Sequence, residues 1–227
     1  MTVPPLLRFE GETLSWDGTA VLDRVSLSLS RGERLVLLGR SGSGKSTLLN
    51  AIRLKLEAQA SAPRLALVPQ DPGLVPQLSV FHNVWMGLLD DHSAAYGLRV
   101  LLRPPGRERT RAAPAIARVG LAGFERRRIG SLSGGQKQRT ALARALTRGG
   151  DALIADEPVS AVDPRQSGDL LDALAERFDT MVLALHDPAR ALSIGTRIIG
   201  IRAGRIVLDR PTQGGLSLPE LHALYEG

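Results

Sequence analysis

Four apolar runs without alternation punctuate the chain: Leu35-Val36-Leu37-Leu38, Ala66-Leu67-Val68, Ala152-Leu153-Ile154-Ala155 and Met181-Val182-Leu183-Ala184-Leu185. Such runs suit strands covered on both faces, because a strand with one face in water alternates apolar and polar positions instead. Between them, residues 48–56, 134–147 and 166–178 carry apolar positions at helical spacing. Buried strands alternating with helices predict a mostly parallel α/β sheet. Ahead of the first run the pattern differs. Residues 6–9, 13–16 and 25–29 read as short strands, the last in strict alternation, with turns at Asp17-Gly18 and Arg31-Gly32, which predicts an antiparallel preamble.

The middle of the chain, from about residue 71 to residue 150, is helix-prone and arginine-rich, is interrupted by Arg103-Pro104-Pro105-Gly106, and shows no convincing buried strand. A helical lobe inserted into the α/β core follows. After His186 the pattern predicts a helix over 189–194, a hairpin of residues 198–201 and 205–208 about Ala203-Gly204, and a short tail. The expected organisation is one domain over 1–227. Residues 1–70 and 151–227 form the α/β core with an N-terminal antiparallel β-subdomain, and residues 71–150 form the helical subdomain. There is no internal repeat or low-complexity tract.

Composition narrows the class. A chain of 227 residues with 43% hydrophobic content is long enough to bury a substantial core. No apolar run approaches bilayer-spanning length, and Met1-Thr2-Val3-Pro4-Pro5 lacks the basic-then-apolar order of a signal peptide, so a cytoplasmic location is expected. The absence of cysteine excludes disulfides, thiolate metal sites and thiol nucleophiles. Lys+Arg number 29 against 23 Asp+Glu, a net charge of +6 gathered at residues 99–111 and Arg126-Arg127-Arg128. That surplus suits a solvated basic face, nucleic acid, an anionic membrane surface or an anionic ligand, and does not choose among them.

Chemistry concentrates in three places. The loop Gly39-Arg40-Ser41-Gly42-Ser43-Gly44-Lys45-Ser46-Thr47 lies between a predicted strand and a predicted helix and meets G-x-x-x-x-G-K-[ST] in full. A polyphosphate lying against backbone N–H groups would be held off by a Cβ at Gly42 or Gly44. Lys45 supplies a point charge, Ser46 a hydroxyl for Mg²⁺, and the helix start its free N–H groups and positive dipole end. The apolar run 152–155 delivers Asp156 and Glu157 at its C-terminal end, where α/β sheets place their ligands. Asp156 is expected in the Mg²⁺ shell and Glu157 as general base toward an attacking water. The third place is Leu132-Ser133-Gly134-Gly135-Gln136, where Ser133 and Gln136 satisfy a capping box. The cap leaves the two glycines unexplained, since they weaken a helix start unless something, such as a phosphate, approaches the backbone closely.

Taken in order with Gln70, Ser160-Ala161-Val162-Asp163 and His186, these motifs resemble those of an ATP-binding cassette (ABC) ATPase, over nearly the whole chain from about Phe9 to Leu208. The resemblance implies a P-loop NTPase core and two cassettes facing head to tail with ATP between them. Each ATP would be held by the phosphate loop of one subunit and by Ser133, Gly134 and Gly135 of the other. A homodimer agrees with the preference of oligomers for two-fold closure. By the same carry-over Gln136 belongs to the signature, Gln70 touches the Mg²⁺ and water, Asp163 crosses the dimer interface, and His186 hydrogen-bonds the γ-phosphate. Trp16 stands where the family stacks an aromatic on adenine, a core position being the alternative reading. Two departures stand out. The interval from Lys45 to Gln70 is shorter than usual, which trims the β-subdomain, and Val162 replaces a common leucine.

The resemblance implies an ATP-hydrolysing subunit at the cytoplasmic face of the inner membrane. It would serve separate permease subunits through residues 80–87 and the arginine-rich segment, and indirectly a periplasmic solute-binding protein. His82-Asn83-Val84-Trp85-Met86-Gly87, the segment through Gly97-Leu98-Arg99, and the ending Leu221-His222-Ala223-Leu224-Tyr225 resemble phosphonate-type importer ATPases in particular. A soluble ABC ATPase acting on nucleic acid or ribosomes is the alternative, supported by the basic surplus alone, and no nucleic-acid partner is expected. A transporter ATPase for an unrelated solute is a further alternative. A small-molecule P-loop kinase leaves Leu132 to Gln136 unexplained.

Overall fold

The computed structural model describes residues 4–225, so Met1 to Val3 of the opening read above lie outside it. In chain order the elements begin β1 (Leu7–Trp16), β2 (Thr19–Leu29), β3 (Arg34–Leu38), α1 (Lys45–Glu57) and β4 (Leu65–Val68). They continue through α2 (Val80–Trp85), a 3-10 turn (Met86–Asp91), α3 (Ala94–Leu102), α4 (Gly106–Arg118), a second such turn (Ile129–Ser131) and α5 (Gly134–Arg148). The remainder is β5 (Ala152–Asp156), α6 (Pro164–Arg177), β6 (Thr180–Ala184), α7 (Pro188–Ile194), β7 (Arg197–Arg202), β8 (Arg205–Pro211) and α8 (Leu218–His222).

The chain forms two compact units. The first comprises the described residues of Met1–Leu65, Gly150–Glu157 and Phe178–Gly227. Its larger sheet runs β5-β6-β3-β7-β8, with β5, β6, β3 and β7 parallel and β8 antiparallel at the edge. Leu35 to Leu38 and Met181 to Ala184 are fully covered and the 152–155 run is buried, as their pattern predicts, whereas Ala66-Leu67-Val68 departs from it: β4 alternates, with Ala66 and Val68 buried and Leu67 37% exposed. β1 and β2 pair as a separate antiparallel ribbon, whose Leu7, Phe9, Leu22, Val25, Leu27 and Leu29 join Leu35, Leu37, Leu48 and Ile52 in one core. Each such side chain contributes about 1.5–3 kcal/mol on burial.

The preamble is longer and more regular than alternation suggests. The expected strands 6–9 and 13–16 are one irregular strand, because register shifts between Phe9 and Leu14 are bridged when the Gly11 N–H bonds Ser26 Oγ at 2.9 Å. A bulge breaks the period without breaking the strand. Only residues 58–64 separate α1 from β4. The short tail holds α8, whose Ser217 and Glu220 form a capping box.

The second unit comprises Ala66–Gly149 and Pro158–Arg177. Here helices dominate, as the middle segment predicts, and α6 groups with them. Val80, Val84, Leu88, Ile116, Leu121 and Leu142 form a dry interior. Pro105 precedes the first residue of α4, where its fixed φ and extended ψ of 149° suit a helix entry. The loop after β4 is pinned by Asn83, whose fully buried amide accepts from Val75 N–H at 2.7 Å and donates to the Val75 and Ser79 carbonyls at 3.2 and 3.0 Å.

Candidate functional site

In the first unit, the parallel arrangement delivers the C-terminal ends of β3, β5 and β6 to one edge of the sheet, which is where the chemistry gathers. β3, flanked by β6 and β7, ends at Leu38 and passes directly into the phosphate-type loop, and α1 starts at Lys45. Gly44 is the N-cap of α1 and supplies no side-chain cap, so the first-turn amides receive nothing from it. Its φ of 109° favours glycine, and a Cβ there would meet Leu22 at 2.8 Å. Gly44 is thus required within the fold itself by backbone conformation and by Leu22. At Gly42, with φ 78°, a Cβ would point into open space, with nothing within 4 Å.

Lys45 is buried, and its Nζ donates to the Gly39 and Arg40 carbonyls at 2.8 and 3.0 Å. Burial pushes the Lys45 pKa below its ordinary value, against the opposing pull of the Glu157 and Asp156 carboxylates. Arg40, Ser41, Gly42 and Ser46 are exposed along the loop, whereas Ser43 and Thr47 are buried. Ser43 Oγ has no hydrogen-bond partner among the described residues, an orphaned hydroxyl inside the cradle.

β5 and β6 lie in register with Asp156 beside Ala184, and the Glu157 N–H donates to the Ala184 carbonyl at 3.0 Å. That pairing carries Glu157 to His186, whose Nε2 hydrogen-bonds Glu157 Oε1. Glu157 holds a positive φ of 51°, uncommon for a residue with a side chain and characteristic of functional turns. The unit therefore assembles Lys45, Asp156, Glu157 and His186 from three strand ends. Trp16 lies at the tip of the β1–β2 hairpin opposite Thr19 and is 52% exposed, which removes the alternative of a core role. One residue near the site lacked a role in the sequence reading: the Tyr225 hydroxyl donates to the His186 carbonyl at 3.3 Å. The resemblance of the ending 221–225 carries no role for it, and no local pattern places it beside His186, 39 residues away.

In the second unit, Gln70 is exposed two positions after β4. Ser133 and Gln136 form the predicted capping box, the Gln136 N–H reaching Ser133 Oγ at 3.3 Å and the Ser133 N–H reaching Gln136 Oε1 at 3.0 Å. Gly135 has a reason internal to this unit: a Cβ there would sit 2.8 Å from the Ala161 carbonyl oxygen. The Ser160-Ala161 turn is held close by Gln138, which donates to Ser160 Oγ at 3.2 Å and accepts from the Ala161 N–H at 2.7 Å. Gly134 is different: it is exposed, and a Cβ there would meet nothing nearer than the Ala161 Cβ at 4.0 Å. Asp163 lies at the start of α6, its Oδ1 accepting from the Arg165 N–H at 2.8 Å.

The helical unit also carries a cavity of about 500 Å³ walled by Trp85, Met86, Leu89, Leu98 and Leu101 among others. A buried carboxylate braces it. Glu108 of α4 accepts from Trp85 Nε1 at 2.9 Å and from the Tyr96 hydroxyl at 2.8 Å, and pairs with Arg107 at 3.1 Å. Burial alone would raise its pKa, but those two hydrogen bonds and the charges of Arg107 and Arg111 hold it below the ordinary value.

Residues 22–160 match the ABC transporter family. Among similar proteins is a phosphonates import ATP-binding protein, PhnC 1, of Natronomonas pharaonis, 39% identical over 97% of this chain and 100% of that protein. An aliphatic sulfonates import ATP-binding protein, SsuB 2, of Streptomyces avermitilis is 41% identical over 90% of this chain and 80% of that protein. Among solved structures, a dimeric ATP-binding cassette in a post-hydrolysis state bound to ADP and Pi superposes with a TM-score of 0.76 at 25% identity, over 92% of this chain and 99% of that one.

Proposed function

Because the chain belongs to the ABC transporter family and is an ATPase of that family, we propose that it powers an importer whose permease subunits are separate polypeptides. In this reading it works as a pair of cassettes, at the cytoplasmic face of the membrane, on a phosphonate or related phosphorus oxyanion. The observation that carries the reading is the junction of β3, β5 and β6, where a buried Lys45 follows β3 and Glu157, after β5, is held by His186, after the intervening β6. Phosphate-import and phosphonates-import relatives support the solute class, the former being a PhnC of Mycolicibacterium smegmatis at 37% identity. The sulfonate relative favours a second reading in which the solute is an organic sulfonate, another tetrahedral oxyanion.

The donor set suits MgATP. Lys45 offers a charge and the uncapped start of α1 offers amides, both of which favour a polyphosphate. Bound Mg²⁺ would supply neutralisation of charge on the phosphate oxygens, and Ser46 Oγ and the Asp156 carboxylate are the hard oxygen donors of the first unit that would hold it. Magnesium needs few protein ligands when phosphates and waters complete its shell. Glu157 takes the proton of the attacking water, and His186 fixes the Glu157 carboxylate while its imidazole reaches toward the γ-phosphate. The exposed Trp16 stacks on adenine. Ser133, Gly134, Gly135 and Gln136, with Asp163, serve the nucleotide bound by a second copy, for which the exposed Gly134 leaves room. The cavity at Trp85, Met86 and Leu98 receives the permease.

The test is Glu157→Gln, which removes the base and keeps the shape. ATP binding should persist, turnover should fall by about 10²–10⁴-fold, and an ATP-bound dimer should accumulate on size exclusion. Normal turnover in that variant removes Glu157 from its role. Uptake by the transporter reconstituted with its permease, across phosphonates, phosphate, phosphite and sulfonates, decides the solute.

A further inference from the structure

The ending Leu221-His222-Ala223-Leu224-Tyr225 takes no part in the functions assigned above, yet the fold holds it firmly. Leu221 is fully buried and Leu224 nearly so. Leu224 packs so closely on β7 that a Cβ at Gly200 would meet its Cδ2 at 2.7 Å. The last turn is closed by backbone bonds from Leu224 N–H to the Leu221 carbonyl at 3.2 Å and from Tyr225 N–H to the His222 carbonyl at 2.9 Å. This anchorage carries the half-buried Tyr225 ring to the edge of the site, where its hydroxyl donates to the His186 carbonyl at 3.3 Å. The Gly39 backbone lies close enough to the same hydroxyl to pull its pKa down. One phenol therefore bonds the segment carrying His186 while lying beside the first residue of the phosphate loop. Burial raises the Tyr225 pKa, the Gly39 backbone opposing this and the nearby Asp187 charge adding to it, so the O–H proton is retained for donation.

We propose that Tyr225 is a positioning residue for ATP hydrolysis, its hydroxyl fixing the His186 main chain against the phosphate loop so that the imidazole stays on Glu157. The inference rests on the reading of His186 given above. His186 follows directly on the buried strand segment ending at Leu185 and precedes Asp187, whose carboxylate caps α7 through the Ala189 N–H at 2.9 Å. Its main chain is thus held from both neighbours, and the phenol adds a tie at His186 itself. Tyr225→Phe keeps the ring and removes only that tie.

The experiment measures steady-state MgATP hydrolysis by the full chain as Tyr225→Phe, His186→Ala and the double variant. The expected result for Tyr225→Phe is a three- to tenfold fall in kcat, roughly what one hydrogen bond supplies, with KM for ATP within about twofold and an unchanged melting temperature. In the His186→Ala background the same change should have no further effect, since the tyrosine acts through that histidine. Wild-type kcat in Tyr225→Phe alongside an impaired His186→Ala overturns the inference and leaves the function intact. Full additivity in the double variant, or a fall in kcat that merely follows a lowered melting temperature, also overturns it. Wild-type turnover in His186→Ala overturns the role of His186 and, with it, this inference.

Discussion

Among the described residues two charged side chains are buried, one in each unit, and they are treated in opposite ways. Glu108, in the helical unit, is saturated: an indole, a phenol and a guanidinium surround it, and its pKa is held down. Lys45, in the sheet unit, is held by two neutral carbonyls of its own loop, and its pKa is likewise lowered, which for a cation means that the charged form is the one disfavoured. A carboxylate with every partner supplied is a brace between α2, α3 and α4. An ammonium whose burial outweighs its carboxylate neighbours gains from an incoming anion. Burial of charge alone does not mark a reactive site; the balance of its partners does.

That contrast can be broken by experiment. The largest expected effect is at Lys45: Lys45→Ala should abolish the thermal stabilisation given by MgATP, worth about 2.7 kcal/mol at a hundredfold excess over Kd, as read by melting with and without nucleotide. An unchanged shift would mean that Lys45 is a structural charge like Glu108. Next, Glu108→Gln should cost about 2 kcal/mol in urea unfolding at neutral pH while leaving the nucleotide shift in place. Its sign with pH follows from the lowered pKa. The carboxylate contribution is complete above the ordinary value of 4.5 and is lost as pH falls through the folded-state value, so wild type and variant should converge in acid.

A smaller effect separates cap from ligand at the head of α5. Ser133→Asp keeps a good N-cap but adds negative charge, so the melting temperature should hold while turnover falls at least about tenfold, or 1.4 kcal/mol. Equal loss of both would reduce Ser133 to a cap. The smallest change is expected for Gly134→Ala, which meets no clash and should shift stability by less than about 1 kcal/mol, whereas Gly135→Ala collides with the Ala161 carbonyl and should cost more. Paired urea melts of the two variants check this, and equal costs would discard the packing account of Gly135.

Much of the sheet unit was legible before any coordinates. The runs at 35–38, 152–155 and 181–185 lack alternation because both faces of those strands are covered, and burial leaves that trace in residue order. The cap at Ser133 and the hairpin at Ala203-Gly204 were legible for the same reason, being interactions within a few residues. Two things were not. The strand β1 looked broken because its irregularities are rescued by Ser26 on the partner strand, and the helix α8 in the tail is too short to set up a period. For two glycines the fold adds a packing reason that residue order does not carry. Leu22 demands Gly44 and Ala161 demands Gly135 from positions 22 and 26 residues away in the chain, and no local pattern announces either.

Residue order alone established that this chain has a phosphate-type loop, an acidic strand end and a second glycine-rich helix start, since each is a short covalent string whose chemistry travels with it. The folded molecule decided which of these groups act on one another. His186 meets Glu157 across 29 residues because β5 and β6 are adjacent and in register, and Tyr225 meets His186 across 39 because Leu221 and Leu224 are buried against the first unit. Side-chain chemistry is a local property, whereas distance between side chains is set by strand order and packing, which many residues fix jointly.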